Sequence, residues 1–150
     1  MMLRWLIASL HLLALAIGFA AIWMRADAFG RRLDADGLRR LFRADAFWGV
    51  AALLWLATGI WRAFGGLEKG TSYYLHDHFF LTKLTLFTLI LVLEIGPMRA
   101  LIGWRIQRGR GVDPDTTRAA RYRRVSLIQL MLVAAMVFAA TAMARGLGAG

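Results

Sequence analysis

Four long apolar stretches decide what this chain can fold into. Trp5 to Met24 is 20 residues without a formal charge. Ala46 to Trp61 is uncharged within a 21-residue stretch from Ala44 to Phe64. Phe79 to Met98 is 20 residues whose only charges are Lys83 and Glu94, and Val125 to Ala144 is another uncharged 20. At about 1.5 Å per residue, a helix of this length covers ~30 Å, the thickness of a bilayer core. A backbone in hydrocarbon must satisfy its own hydrogen bonds, so each stretch is expected to be a helix. Four soluble helices of this kind would offer water no polar face. The sequence predicts an all-α polytopic membrane protein, an antiparallel four-helix transmembrane bundle. It forms a single domain over 1–150, with spans at about 4–24, 44–64, 79–98 and 125–144. The first span is too long for a signal peptide and is followed by arginines rather than a small-residue cleavage site, so it is expected to remain as a span.

Composition agrees. Of 150 residues, 59% are hydrophobic, and the mean hydropathy is +0.56. The chain has no cysteine, which excludes disulfides, iron–sulfur clusters, thiolate haem ligation and cysteine nucleophiles.

The net charge of +10 is a topology signal. Arg25, Arg31, Arg32, Arg39, Arg40 and Arg43 fall between spans one and two, and Arg99, Arg105, Arg108, Arg110, Arg118, Arg121, Arg123 and Arg124 between spans three and four. That is 14 of 19 basic residues, against Arg4, Arg62, Lys69 and Arg145 on the other side. The positive-inside rule puts both basic loops in the cytoplasm and both termini outside. The same arginines attract anionic lipid. No aromatic or Gly-rich motif accompanies them, so no nucleic-acid partner is expected.

Short loops join the spans. Asp36 is expected to cap span two and Asp115 to cap the approach to span four. Pro97 is expected to end or kink span three, and Gly109 and Gly111 to form the hinge of the second basic loop. Gly18 and Gly59 are small enough to pack within the bundle or to support an oligomer.

Ionisable residues inside a membrane are costly and are functional candidates. His11 lies on a face with Ile7, Ala8, Ala14, Leu15, Gly18, Ala21 and Ile22. Two readings compete for it: an axial ligand to haem iron, and a histidine hydrogen-bonding across helices, which the residue taken alone favours. Lys83 lies in the same half of the bilayer, where it would hold a carboxylate, relay a proton or reach the interface. Outer portions of spans one and three are therefore expected to approach each other near His11 and Lys83. Glu94 shares the Lys83 face but lies ~16 Å away. With Gln129 and Asp45 it is expected to form a structural polar clamp at the inner end, with Arg43, Arg99 and Arg124 as candidate partners. His76, Asp77 and His78 could hold copper, zinc or iron at the outer mouth, and either histidine could act as a second ligand to a haem there.

Several segments resemble an uncharacterised family of bacterial membrane proteins, domain-of-unknown-function family 2214. They are Leu10 to Leu15, Leu38 to Asp45, Leu67 to Tyr74, Leu93 to Met98 and Ala140 to Gly146. This resemblance covers nearly the whole chain and implies a multi-pass protein of the bacterial inner membrane. More distantly, the arrangement is similar to the four-helix membrane protoporphyrinogen oxidase and to copper-resistance D-type domains. The shared features are His11 after Leu10, the stretch Arg40-Leu41-Phe42-Arg43 and Lys83 before Leu84. The oxidase likeness implies b-type haem with a redox role on a tetrapyrrole or quinone, His11 and Lys83 serving the cofactor. In the oxidase a histidine precedes the third-span lysine by two residues, where this chain has Leu81. A non-catalytic membrane scaffold and a copper-handling module are the competing expectations.

Overall fold

The computed structural model describes residues 2–64 and 78–145, apart from the side chains of residues 63, 64, 79 and 143. Four helices form: α1 (Met2–Gly30), α2 (Ala35–Phe64), α3 (His78–Gly109) and α4 (Ala119–Ala144). Each is long and apolar enough to cross a membrane. At about 1.5 Å per residue they run ~39–48 Å, longer than a hydrocarbon core. The excess lies largely at the end carrying the two arginine-rich connections, here the basic end.

At that end, Asp34 rather than Asp36 caps α2. The Asp34 carboxylate accepts the Gly37 amide at 2.9 Å, while Asp36 sits in the first turn and pairs with Arg39. A capping side chain reaches the amide three residues on, and Asp34 stands three before Gly37. That carboxyl is held below its usual range by the Gly37 amide first, and then by the nearby Arg32 and Arg40 charges. Asp115 accepts the Thr117 amide at 3.0 Å and orders the turn ahead of α4. Gly111 has φ 74°, a left-handed conformation suited to glycine, just past the end of α3. Pro97 neither ends α3 nor breaks it, for the helix continues to Gly109. Proline removes one backbone hydrogen bond. Continuation past it buries Leu101 and Trp104 in the basic-end core, which offsets that loss.

The buried face of α1 is a heptad stripe: Ile7, His11, Ala14, Gly18, Ala21, Arg25 and Ala28. Alternating steps of four and three keep one seam turned toward neighbouring helices. Small residues on it admit large ones from α2. A Cβ on Gly18 would lie 3.2 Å from the Trp48 ring. Two cores result. The central one joins Ala14, Ala21 and Ile22 to Trp48, Trp55, Ile90, Val133 and Met136. At the basic end, Phe29, Trp104 and Tyr122 stack mutually with centroids 5.9–6.2 Å apart. Exposed Leu12, Leu53, Met131 and Phe138 cover the outside, an apolar surface suited to lipid.

Helix α1 packs on α2 and α4, and α4 also carries α3. Helices α2 and α3 meet chiefly through long side chains: Trp55 edge-on to Phe87 at 5.4 Å, and Arg105 on Asp45. The bundle is therefore least tightly closed along the α2–α3 side.

Candidate functional site

Two polar layers lie inside this apolar bundle, and both hang from the α1 stripe. His11 and Arg25 are 14 residues apart, two heptads, and so share a face.

The layer nearer the basic end centres on Arg25, whose side chain is fully buried. Its Nη1 donates to Glu94 Oε1 at 2.6 Å and to Asp45 Oδ1 at 3.0 Å. Its Nη2 donates to Glu94 Oε2 at 2.8 Å and to Gln129 Oε1 at 2.9 Å. Gln129 Nε2 in turn donates to Glu94 Oε2 at 2.8 Å and to the Ile90 carbonyl at 3.1 Å. Arg105 completes the set, donating to Asp45 Oδ2 at 2.8 Å and to the Phe42 carbonyl at 3.0 Å. One arginine on α1 thus holds one side chain from each of the other three helices. Two guanidiniums face two carboxylates, so the cluster is neutral when all four are ionised, the arrangement that makes a buried charge tolerable.

Glu94, Gln129 and Asp45 are brought together, but the residues that join them differ from the sequence expectation. Arg43, Arg99 and Arg124 are exposed, and Arg25 and Arg105 take their place. Arg25 is therefore not a solvated loop charge. Its signal in the sequence was its heptad spacing from His11, masked by the arginine-rich loop that follows. Arg25 Nε and Ser126 Oγ are buried without a hydrogen-bond partner among the described residues.

The layer farther from the basic end centres on His11, also buried. The Trp55 indole N–H donates to Nε2 at 2.9 Å, so that nitrogen carries no proton. Nδ1 carries it and donates to Thr58 Oγ1 at 2.9 Å, and the Thr58 hydroxyl donates to the Leu54 carbonyl at 2.7 Å. A Cβ on Gly59 would lie 3.3 Å from His11 Cε1, so the glycine admits the ring. His11 is in this arrangement a bridge between α1 and α2.

His11 and Lys83 line one cavity of about 130 Å³. Its walls come mainly from α2 (Trp55, Gly59) and α3 (Phe80, Leu84, Phe87), on the side where the bundle is least closed. Two polar groups in a mostly apolar, concave site are the usual marks of a small-molecule pocket.

A haem does not fit these residues as they stand. Axial ligation needs a free lone pair on a ring nitrogen. The Nε2 lone pair of His11 is engaged by Trp55, and Nδ1 carries the proton given to Thr58. The cavity is also small. About 150 Å³ takes up a benzene ring, and larger ligands occupy roughly 300–1,000 Å³.

Of the other metal candidates, His76 and Asp77 lie outside the described residues, and His78 begins α3. Among the described residues no group of three or more His, Cys, Asp or Glu side chains gathers to hold a metal.

Fold and polar layers together define a polytopic membrane protein, a four-helix bundle with a charged hub. A family model described as "Predicted membrane protein (DUF2214)" matches residues 3–148, and the chain belongs to that family. Comparison with curated proteins found no match, and neither did comparison with solved structures.

Proposed function

We propose that this membrane protein binds the ring of a quinone-type amphiphile in the cavity between α2 and α3. The observation that carries the reading is that two ionisable side chains on different helices, His11 and Lys83, line one mostly apolar cavity. Lys83 donates a hydrogen bond to a ring oxygen, and Phe80 and Phe87 flank the ring. The hydrophobic tail leaves toward lipid through the less tightly closed α2–α3 side. Between the two ligands that the oxidase likeness suggests, the cavity volume favours the quinone over the tetrapyrrole. The arginine bias supports a topology with the basic end in the cytoplasm of a bacterial cell, which puts the cavity in the outer half of the inner membrane.

A second reading, a membrane scaffold without a ligand, is favoured by the Arg25 hub, whose bonds serve to tie four helices together.

The test uses the protein purified in mild detergent from haem-sufficient cells. A short-chain ubiquinone is titrated while tryptophan fluorescence is followed, with decanol as the aliphatic control. The expected result is saturable quenching by the quinone alone, weakened about tenfold or more in Lys83→Met, as for loss of one charged hydrogen bond. Absence of saturable quenching in the folded wild type overturns the proposal in favour of the scaffold. A Soret band that sharpens with dithionite and disappears in His11→Ala overturns it in favour of haem.

A further inference from the structure

At the basic end, a cleft of about 360 Å³ opens between α1 and α2. We propose that it is a binding site for the phosphate headgroup of an anionic phospholipid, independent of the quinone reading. Arg31 lines it from the turn just past α1, and Arg40 and Arg43 from α2. The only acidic side chain in the lining is Asp27, which pairs with Arg31 at 2.7 Å. Arg40 and Arg43 are exposed and make no hydrogen bond or ion pair among the described residues. Two guanidiniums three positions apart on one helix thus face a recess that holds a surplus of positive charge.

The recess exists because its lining includes Gly37, Ala28 and Ala44, which have almost no side-chain volume. Gly37 is forced: a Cβ there would overlap the Arg32 carbonyl oxygen. Depth identifies the occupant. Trp23, exposed and part of the same lining, is an indole of the kind that settles at headgroup level. A lipid phosphate at that level meets the arginines while its acyl chains lie along the apolar outside of α1 and α2. Basic pockets between transmembrane helices are the expected receptors for such headgroups, and guanidinium binds phosphate in two-point geometry.

The experiment is native mass spectrometry of the full chain in mild detergent, titrated with phosphatidylglycerol or with phosphatidylcholine. The proposal expects retention of phosphatidylglycerol over phosphatidylcholine. It expects retention to fall about thirtyfold in Arg40→Gln/Arg43→Gln, at roughly one surface arginine's worth of attraction each. A control variant, Arg110→Gln/Arg118→Gln, removes the same charge from the other basic loop and is expected to retain the lipid. Equal loss in both variants reduces the effect to net charge and overturns the site. Equal retention of phosphatidylcholine overturns the headgroup. Displacement of the lipid by equimolar inorganic phosphate assigns the cleft to the free ion instead. All four substituted arginines are exposed, and an unchanged melting temperature in lipid-free detergent verifies that each variant is folded.

Discussion

Arg25 on α1 and Glu94 on α3 form a two-point ion pair, at 2.6 and 2.8 Å, between helices that do not pack closely against each other. The pair crosses the interior of the bundle. Removing one partner of a buried pair leaves the other charge uncompensated, which costs about 3–5 kcal/mol. Arg25→Met and Glu94→Gln are each expected to lower thermal stability in detergent by that order. The double variant Arg25→Met/Glu94→Met is expected to lose less than the sum, because Asp45 keeps Arg105 and no lone charge is left. Thermal melts of the three variants check this. A Glu94→Gln protein as stable as the wild type would remove the clamp role.

The hub also marks how far the sequence could be read. Spans were legible because twenty uncharged residues leave a backbone little choice but helix. Glu94 and Gln129 stood out as polar side chains inside apolar runs, and Asp45 at the edge of one. Arg25 did not stand out, because at the end of a span beside five further arginines a charge reads as orientation. Its heptad spacing from His11 is present in the sequence, but the uncharged run that marks the span ends at Met24, one residue short of it. For Asp34 and Asp36, two aspartates two residues apart are equivalent in composition, and only the distance to the Gly37 amide separates them. Nothing in spacing alone told that Trp55 and Thr58 would take both nitrogens of His11, since that depends on the register of α2 against α1.

His11 is expected to act as a structural bridge whether or not the cavity holds a ligand. His11→Ala strands the buried Trp55 N–H, a loss of about 1–3 kcal/mol, and leaves a void beside Gly59. Thr58→Val takes the acceptor from the His11 Nδ1–H but keeps the side-chain volume and opens no void, so it is expected to cost less, about 1 kcal/mol. Melting curves order the variants. Trp55 loses its hydrogen bond to His11 only in His11→Ala, so a shifted tryptophan emission is expected there and not in Thr58→Val.

Acid is expected to loosen the start of α2. The Asp34 carboxyl is held below its ordinary 3.8 by the Gly37 amide, with the Arg32 and Arg40 charges assisting. A lowered folded-state value means that the stabilisation is present above the unfolded value and is lost as pH falls through the folded one. Wild type is therefore expected to melt above Asp34→Ala at about pH 6, and the two curves to converge as pH falls below the ordinary carboxylate range. Comparing the pair cancels the titration of other carboxylates. A gap that stays constant with pH would show that Asp34 acts without its charge.

Four helical glycines form a graded series of steric room. A Cβ on Gly37 would overlap the Arg32 carbonyl oxygen, and backbone cannot swing aside as a side chain can. Gly37→Ala must therefore move the turn at 31–34, at a cost of about 1–3 kcal/mol. On Gly18 and Gly59 the added carbon would meet the Trp48 ring at 3.2 Å and His11 at 3.3 Å, so a shift of a few tenths of an ångström decides the outcome. The cost there is expected to be smaller, with Gly59→Ala also disturbing the Trp55–His11 bond. Gly49 has nothing within 4 Å, so Gly49→Ala adds helix propensity without a clash and is expected to stabilise by about 0.5–1 kcal/mol. Thermal melts in one detergent should rank Gly49→Ala above wild type, then Gly18→Ala and Gly59→Ala, and Gly37→Ala last. A Gly37→Ala protein as stable as the wild type would show that the α1–α2 turn is not held against the start of α2, and the cleft proposed for the phospholipid headgroup would lose its glycine floor.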